Sequence, residues 1–203
     1  MLRVIAAGTR RAGSMFIYNT VRAAMADKLI EAAVEGRYTY RPGLECFVIK
    51  AHKFQEQLLF GANLIITSHR DPRDIAADAV RRGLIAPVTT AIIRFLLKTI
   101  NEEYDNWRTF AQLDLSYEEF STEPASWTRQ ILGALKRTDL DAQAILAQVL
   151  STPAGSTADV EVMVTPPKSQ AEKPGAYKDV LSEGQIRAIE AVFQEWMTEH
   201  DYK

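Results

Sequence analysis

Apolar positions along this chain follow two rhythms. Residues 2–7 (LRVIAA), 46–50 (CFVIK), 63–68 (NLIITS) and 113–117 (LDLSY) are short apolar runs stopped by glycine or by polar and cationic residues, the pattern of strands buried on both faces. Between them apolar residues recur every three or four positions. Phe16, Ile17, Val21, Ala24, Met25 and Leu29 predict one long amphipathic helix from residue 15 to near Gly36, and Ile92, Ile93, Phe95, Leu96, Ile100, Tyr104 and Trp107 predict another over residues 88–110. Pro72 after Asp71 predicts a capped helix through Arg82, and further helices are expected over 124–135 and 141–150. Ser182 with Gln185 three residues on is a capping box that opens a last helix to about His200. Residues 151–178, rich in Pro, Gly, Ser, Thr and Lys, are expected to form a flexible flap or loop. Strands alternating with helices predict an α/β fold, a single domain over residues 1–203 whose largely parallel central sheet is flanked by helices. Such sheets bind ligands at the carboxyl ends of their strands.

Composition narrows the classes. With 47% hydrophobic and 25% charged residues the chain is that of a folded domain, neither disordered nor coiled coil. No apolar run approaches the ~20 residues that span a bilayer, so no transmembrane segment is expected. The first residues read as a strand, not as a targeting segment. Cys46 is the one cysteine, which excludes an intramolecular disulfide and cysteine-pair zinc sites and points to a reducing, cytoplasmic setting. Charge is uneven: residues 1–82 hold thirteen Lys and Arg against eight Asp and Glu, whereas residues 83–203 hold eleven against eighteen. A cationic excess confined to a glycine-punctuated stretch suits a small polyanionic ligand better than nucleic acid.

Three segments at successive strand ends concentrate the chemistry. Gly8-Thr9-Arg10-Arg11-Ala12-Gly13-Ser14 keeps the glycine spacing of a phosphate-binding P-loop but has Ser14 where that loop carries its lysine. Its backbone N–H groups and the following helix start favour an anion, although a plain strand-to-helix turn needs the same glycines. In Lys50-Ala51-His52-Lys53 the alternate residues Lys50 and His52 share a face, and like charge should leave the imidazole neutral and able to accept a proton. A surface or hydrogen-bonded histidine is the plainer alternative. Ser68-His69-Arg70-Asp71-Pro72-Arg73-Asp74 ends a strand and starts a helix, which makes Arg70 the cation of a second anion site unless it pairs locally with Asp71 or Asp74.

The order RRAGSMFIYN, KAH, HRDPRDIAADAVRRG, LDLSYEEF and YKDVLS before a final helix resembles the sulfotransferase family that uses 3′-phosphoadenosine 5′-phosphosulfate (PAPS), over about residues 3–202. The resemblance implies a P-loop NTPase-like fold and a 5′-phosphosulfate cradle made by Arg10, Arg11, Ala12, Gly13, Ser14 and Met15. Arg11 stands at the basic position, Ser14 at the first hydroxyl and Phe16 at the aromatic that stacks on adenine. It makes His52 the general base, with Lys50 and Arg11 as cations on the transferring group, Arg70 the holder of the 3′-phosphate, and Tyr117 a neighbour of the nucleotide. The implied reaction is metal-free, in-line transfer of a sulfuryl group to a hydroxyl or amine of a small-molecule, lipid or carbohydrate acceptor. Nucleic acid is not an expected partner; a homo-oligomer, or another chain completing an open acceptor site, is.

Three positions depart from the family's pattern. Asp78 replaces a serine that donates to the 3′-phosphate, so its carboxylate must point away or be compensated. Met15 replaces a hydroxyl residue, and the late Arg-Lys-Gly clamp is absent as such, which leaves Lys168 and Lys173 as substitutes. Two alternatives follow. One is a nucleotide-dependent phosphotransferase, disfavoured by the missing loop lysine and by Asp114 being the nearest acidic strand end for Mg²⁺. The other is a nucleotide-binding relative without catalysis.

Overall fold

The computed structural model describes residues 1–34, 43–151 and 173–203. Five strands, β1 (Leu2–Ala6), β2 (Ile30–Val34), β3 (Cys46–Lys50), β4 (Leu64–His69) and β5 (Leu113–Ser116), form one parallel sheet in the order β2-β3-β1-β4-β5. The helices are α1 (Ser14–Ala24), α2 (Glu56–Leu59), α3 (Pro72–Arg81), α4 (Thr89–Leu97), α5 (Asp105–Arg108), α6 (Tyr117–Thr122), α7 (Pro124–Ala134), α8 (Ala142–Ser151) and α9 (Glu183–Glu199). A π-helical segment, Lys98–Tyr104, joins α4 to α5, and a short 3₁₀ turn, Ala176–Asp179, precedes α9.

Alternation along the strands explains why helices cover both faces. Val4, Ala6, Cys46, Val48, Leu64 and Ile66 pack against α1, α7 and α8, while Ile5, Ala7, Phe47, Ile49 and Ile65 pack on the opposite face around Leu58 and Trp107. A third apolar cluster joins α3, α4 and α9 through Ile75, Ile92, Leu96, Ile189 and Phe193. The caps of α3 and α9 form as the sequence predicts: Asp71 accepts from the Arg73 backbone N–H at 2.8 Å, and Ser182 and Gln185 make a reciprocal capping box.

Three predicted elements differ. The first helix ends at Ala24 instead of near Gly36, and residues 30–34 form the edge strand β2. Arg137 ends the helix, donating to the Ala24 carbonyl at 2.6 Å and to Asp27 at 2.8 Å. Register with β3, Ala32 against Val48 and Ala33 against Ile49, then overrides the weak strand preference of Ile-Glu-Ala-Ala-Val. The helix predicted over 88–110 is interrupted by the π-helical segment, and Tyr117 starts α6 instead of ending β5. Most of the expected flap lies outside the described residues. Its end is fixed, because Asp74 accepts from the Gly175 and Tyr177 backbone N–H groups at 2.7 and 2.9 Å.

Candidate active site

Strand register collects the three chemistry-bearing segments at one edge. Ala6 lies opposite Lys50 on β3 and opposite Ile66 on β4, so the loop after β1, the Lys50–His52 pair and the Ser68–Arg70 strand end emerge side by side. β1 is also the strand across which the chain passes from β3 to β4, the kind of crossover point where open α/β sheets form a crevice.

The loop is shaped by close backbone approach. Gly8 has φ +128°, and a Cβ there would sit 2.4 Å from the Ser68 carbonyl oxygen, so only glycine lets the loop lie on the end of β4. The Thr9 N–H donates to the same carbonyl at 2.9 Å. Arg11 takes φ +69°, the left-handed region a non-glycine residue rarely adopts. Gly13, at φ +93°, starts α1 with no side-chain cap, and a Cβ there would meet the Trp127 ring at 2.9 Å. The first-turn N–H groups of a helix lack intrahelical acceptors, so an uncapped start of this kind is suited to an anion. Thr9 Oγ1 and Ser68 Oγ, both buried beside the loop, have no hydrogen-bond partner among the described residues.

His52 is fixed from both sides. Its Nδ1 lies 3.3 Å from the Gly8 carbonyl oxygen and its Nε2 lies 2.8 Å from Lys50 Nζ. A carbonyl only accepts, so Nδ1 carries the proton and Nε2 presents its lone pair to the ammonium. Burial first, then the charges of Lys50 and Arg10, push the imidazole down to about 3. The ring is neutral at pH 7, as its lysine neighbours predict, though desolvation outweighs them. Trp107 Nε1 donates to the His52 carbonyl at 3.1 Å and holds the backbone beneath it.

The loop arginines have buried partners. Glu103, 2% exposed on the π-helical segment, takes Arg10 in a two-pronged pair at 3.0 and 2.9 Å. Asp78, 1% exposed on α3, receives Arg11 Nε at 2.5 Å and Arg82 Nε at 3.0 Å. Burial alone would raise the Asp78 carboxyl, but Arg11 and Arg82 outweigh it and hold it below the usual carboxylate range. Of the two arrangements open to Asp78, the structure adopts compensation: the carboxylate points at arginines. Arg11 therefore ties the loop to α3, a role the sequence reading did not assign to it.

Arg70 is almost wholly buried at 2% exposure, stacks 4.3 Å over the Tyr117 ring and donates to the Arg11 carbonyl at 3.2 Å. It braces the loop, and its charge also reaches Asp74, while Asp71 pairs with Arg73. Phe16 does not offer a face for adenine, because it is 4% exposed and packs against Phe120 at 4.6 Å and Trp127 at 6.1 Å. Its ring supports the loop from below. Ala12 and Ser14 are buried in the loop and Met15 is half-buried against the same core. Lys173 is exposed, and Lys168 lies outside the described residues.

Sequence reasoning missed Glu103, Arg82 and Trp127. Two had a readable signal: Arg82 follows Asp78 by one helical turn, and Glu103 falls on the apolar stripe between Ile100 and Trp107, where a carboxylate needs a partner. Trp127 is placed by tertiary packing alone.

No family model and no curated relative matches the chain. Solved structures do. A retinol dehydratase in complex with retinol and PAP superposes with a TM-score of 0.64 at 13% identity, covering 96% of this chain and 81% of that one. The mouse sulfotransferase SULT7A1 complexed with PAP gives 0.65 at 16% identity, covering 97% and 85%. Retinol dehydratase with androsterone and the inactive cofactor PAP gives 0.63 at 14%, covering 96% and 80%. The parallel five-stranded sheet flanked by helices has the fold of the PAPS-dependent sulfotransferases.

Proposed function

We propose that this protein is a sulfotransferase that moves a sulfuryl group from PAPS to a hydroxyl or amine of a small-molecule, lipid or carbohydrate acceptor. The observation that carries this reading is the neutral, tautomer-fixed His52 held between the Gly8 carbonyl and Lys50 at the mouth of an uncapped anion-binding loop. The donor site fits the group. Ser68 Oγ and Thr9 Oγ1 are orphaned hydroxyls beside the loop, and Arg70 with Tyr117 supplies a fixed cation and a ring at the neighbouring strand end. Among the described residues no helix is long and apolar enough to cross a membrane.

The bound donor supplies the sulfuryl group, whose bond to the 5′-phosphate breaks as a bond to the acceptor oxygen or nitrogen forms. Every other role falls to side chains and backbone of this chain. Lys50 leaves His52 for the anionic oxygens, and the loop N–H groups stabilise charge developing on the leaving oxygen. That departure uncovers His52 Nε2, which takes the acceptor's proton while Nδ1–H keeps its bond to Gly8. Base activation is thus coupled to donor binding, because the one ammonium serves both.

Calorimetric titration with adenosine 3′,5′-bisphosphate tests the donor site, with AMP and ATP as controls. Tight binding of the bisphosphate, not shared by AMP and lost in Arg70→Met, is expected. A preference for ATP with Mg²⁺ would instead mean a phosphotransferase. With PAPS and a responsive acceptor, His52→Ala should bind nucleotide normally but lose ~10²–10⁴-fold in turnover. Near-normal turnover in that variant rejects His52 as base.

A further inference from the structure

Beyond Arg70 the carboxyl ends of β4 and β5 carry a second polar cluster that the proposed chemistry does not use. One ligand atom from each of His69, Asp114 and His200 lies within 4.8 Å of the other two, the one such group among the described residues. His69 Nδ1 is 3.0 Å from Asp114 Oδ2. The Tyr104 hydroxyl sits against all three, 2.6 Å from Asp114 Oδ2, 3.0 Å from His200 Nε2 and 3.4 Å from His69 Nδ1. We propose that His69, Asp114 and His200 form a site for a divalent transition-metal ion, zinc above all, that locks the end of α9 to the sheet.

The argument is first geometric. Four donors bonded to zinc at ~2.0–2.1 Å stand about 3.3 Å apart at the corners of a tetrahedron. The His69 Nδ1 to Asp114 Oδ2 separation of 3.0 Å is near that edge, and all three ligand atoms lie within 4.8 Å of one another. The donor set, two imidazoles and a carboxylate, is one that zinc accepts.

The surroundings orient the donors as a metal site requires. His200 Nδ1 is 2.8 Å from the Trp196 carbonyl, so Nδ1 is protonated and Nε2 directs its lone pair inward. Trp196 stacks on that imidazole, with ring centroids 4.1 Å apart, and fixes its plane. Thr67 Oγ1 donates to Asp114 Oδ1 at 2.8 Å and leaves Oδ2 for the metal. Arg108, 3.8 Å from Asp114, is matched by Glu199 at 2.8 Å, so an arriving dication meets no unbalanced cation there. His69, Asp114 and His200 are each only partly buried.

Uptake moves protons in a defined way. His69 transfers its proton from Nδ1 to Nε2 through solvent, while Tyr104 keeps its proton and its hydrogen bond to Asp114. Three protein ligands and a water complete four-coordination, and the ion ties His200 to the ends of β4 and β5. The site is independent of the sulfuryl-transfer reading.

The test is zinc titration of the full chain against a chelating indicator, with cobalt(II) as a spectroscopic probe. Expected are one zinc per chain, a higher melting temperature, and the intense visible bands of tetrahedral cobalt. His200→Ala and His69→Gln should each weaken zinc by roughly a hundredfold or more, while their zinc-free melting stays near that of the zinc-free parent. No stoichiometric uptake at micromolar zinc, or uptake unchanged in both variants, overturns the proposal. Should a variant fail to fold, the cobalt spectrum of the parent chain decides: weak octahedral bands overturn the site.

Discussion

Replacing His52 with glutamine should remove much of the acid sensitivity of the fold between pH 7 and 5. His52 sits near pKa 3 when folded and near 6.5 when unfolded, so in this window the unfolded chain binds a proton that the folded one excludes. Stability is fully present above pH 6.5 and is lost as pH falls toward the folded value. At pH 5 the unfolded imidazole lies 1.5 units below its midpoint, worth about 2 kcal/mol at 1.36 kcal/mol per unit. That figure holds for any folded value below about 4, so the depth of the depression does not matter. The assay is urea unfolding of parent and His52→Gln at pH 7 and 5, read by fluorescence of Trp107, Trp127 and Trp196. His200 is also held below its usual value by burial, and Asp78 and Asp114 protonate only at lower pH. These groups are common to both chains and cancel in the difference. Between pH 7 and 5 the parent should lose about 2 kcal/mol more than the variant. Equal losses would mean that His52 is solvated, and the tautomer argument for its Nε2 would go with it.

Gly8→Ala forces a side chain onto the Ser68 carbonyl at φ +128° and should cost about 3 kcal/mol or more, with bisphosphate binding lost; an unchanged melting curve would refute the close approach. Glu103→Gln leaves Arg10 without its carboxylate and should cost about 1–3 kcal/mol, discounted because Arg10 is partly exposed; denaturant titration reads it, and no loss would mean the pair adds nothing. Asp78→Ser removes the carboxylate between Arg11 and Arg82 and should tighten the bisphosphate roughly tenfold while lowering stability; weaker binding by calorimetry would make Asp78 a positioning group for Arg11.

What was legible in the sequence was whatever rests on local chemistry. Four of the five strands announce themselves as short apolar runs, and the caps of α3 and α9 are written in Asp71-Pro72 and Ser182–Gln185. β2 was not legible, because Ile-Glu-Ala-Ala-Val reads as helix until β3 pairs with it and Arg137, more than a hundred residues away, closes α1. The neutrality of His52 was readable from Lys50 and Lys53. Its main cause, burial under the loop, was not, since desolvation belongs to packing and not to spacing. Phe16 shows the reverse failure: its place in the motif assigns it to a ligand, whereas Phe120 and Trp127 draw it into the core.

Pairing of the loop arginines bears on which ligand the site accepts. Glu103 and Asp78 are buried at 2% and 1% exposure, so neither carboxylate can lose its arginine to a ligand and turn to water instead. An anion must therefore be held by arginines that keep their carboxylates. Arg10 keeps Glu103 through two of its N–H groups. Each carboxylate then acts as an orienting group that aims a cation and at the same time lowers the net field at the loop. A weakly charged ligand gains little from a cation already half neutralised, whereas a bisphosphate, reaching both the loop and Arg70, collects both partial fields in one molecule. Discrimination between the bisphosphate and AMP should accordingly shrink as salt is raised, since surface-exposed parts of these fields are screened within about 10 Å at 0.1 M. Salt-independent discrimination would instead place the selectivity in the buried cations, Arg70 at 2% exposure above all.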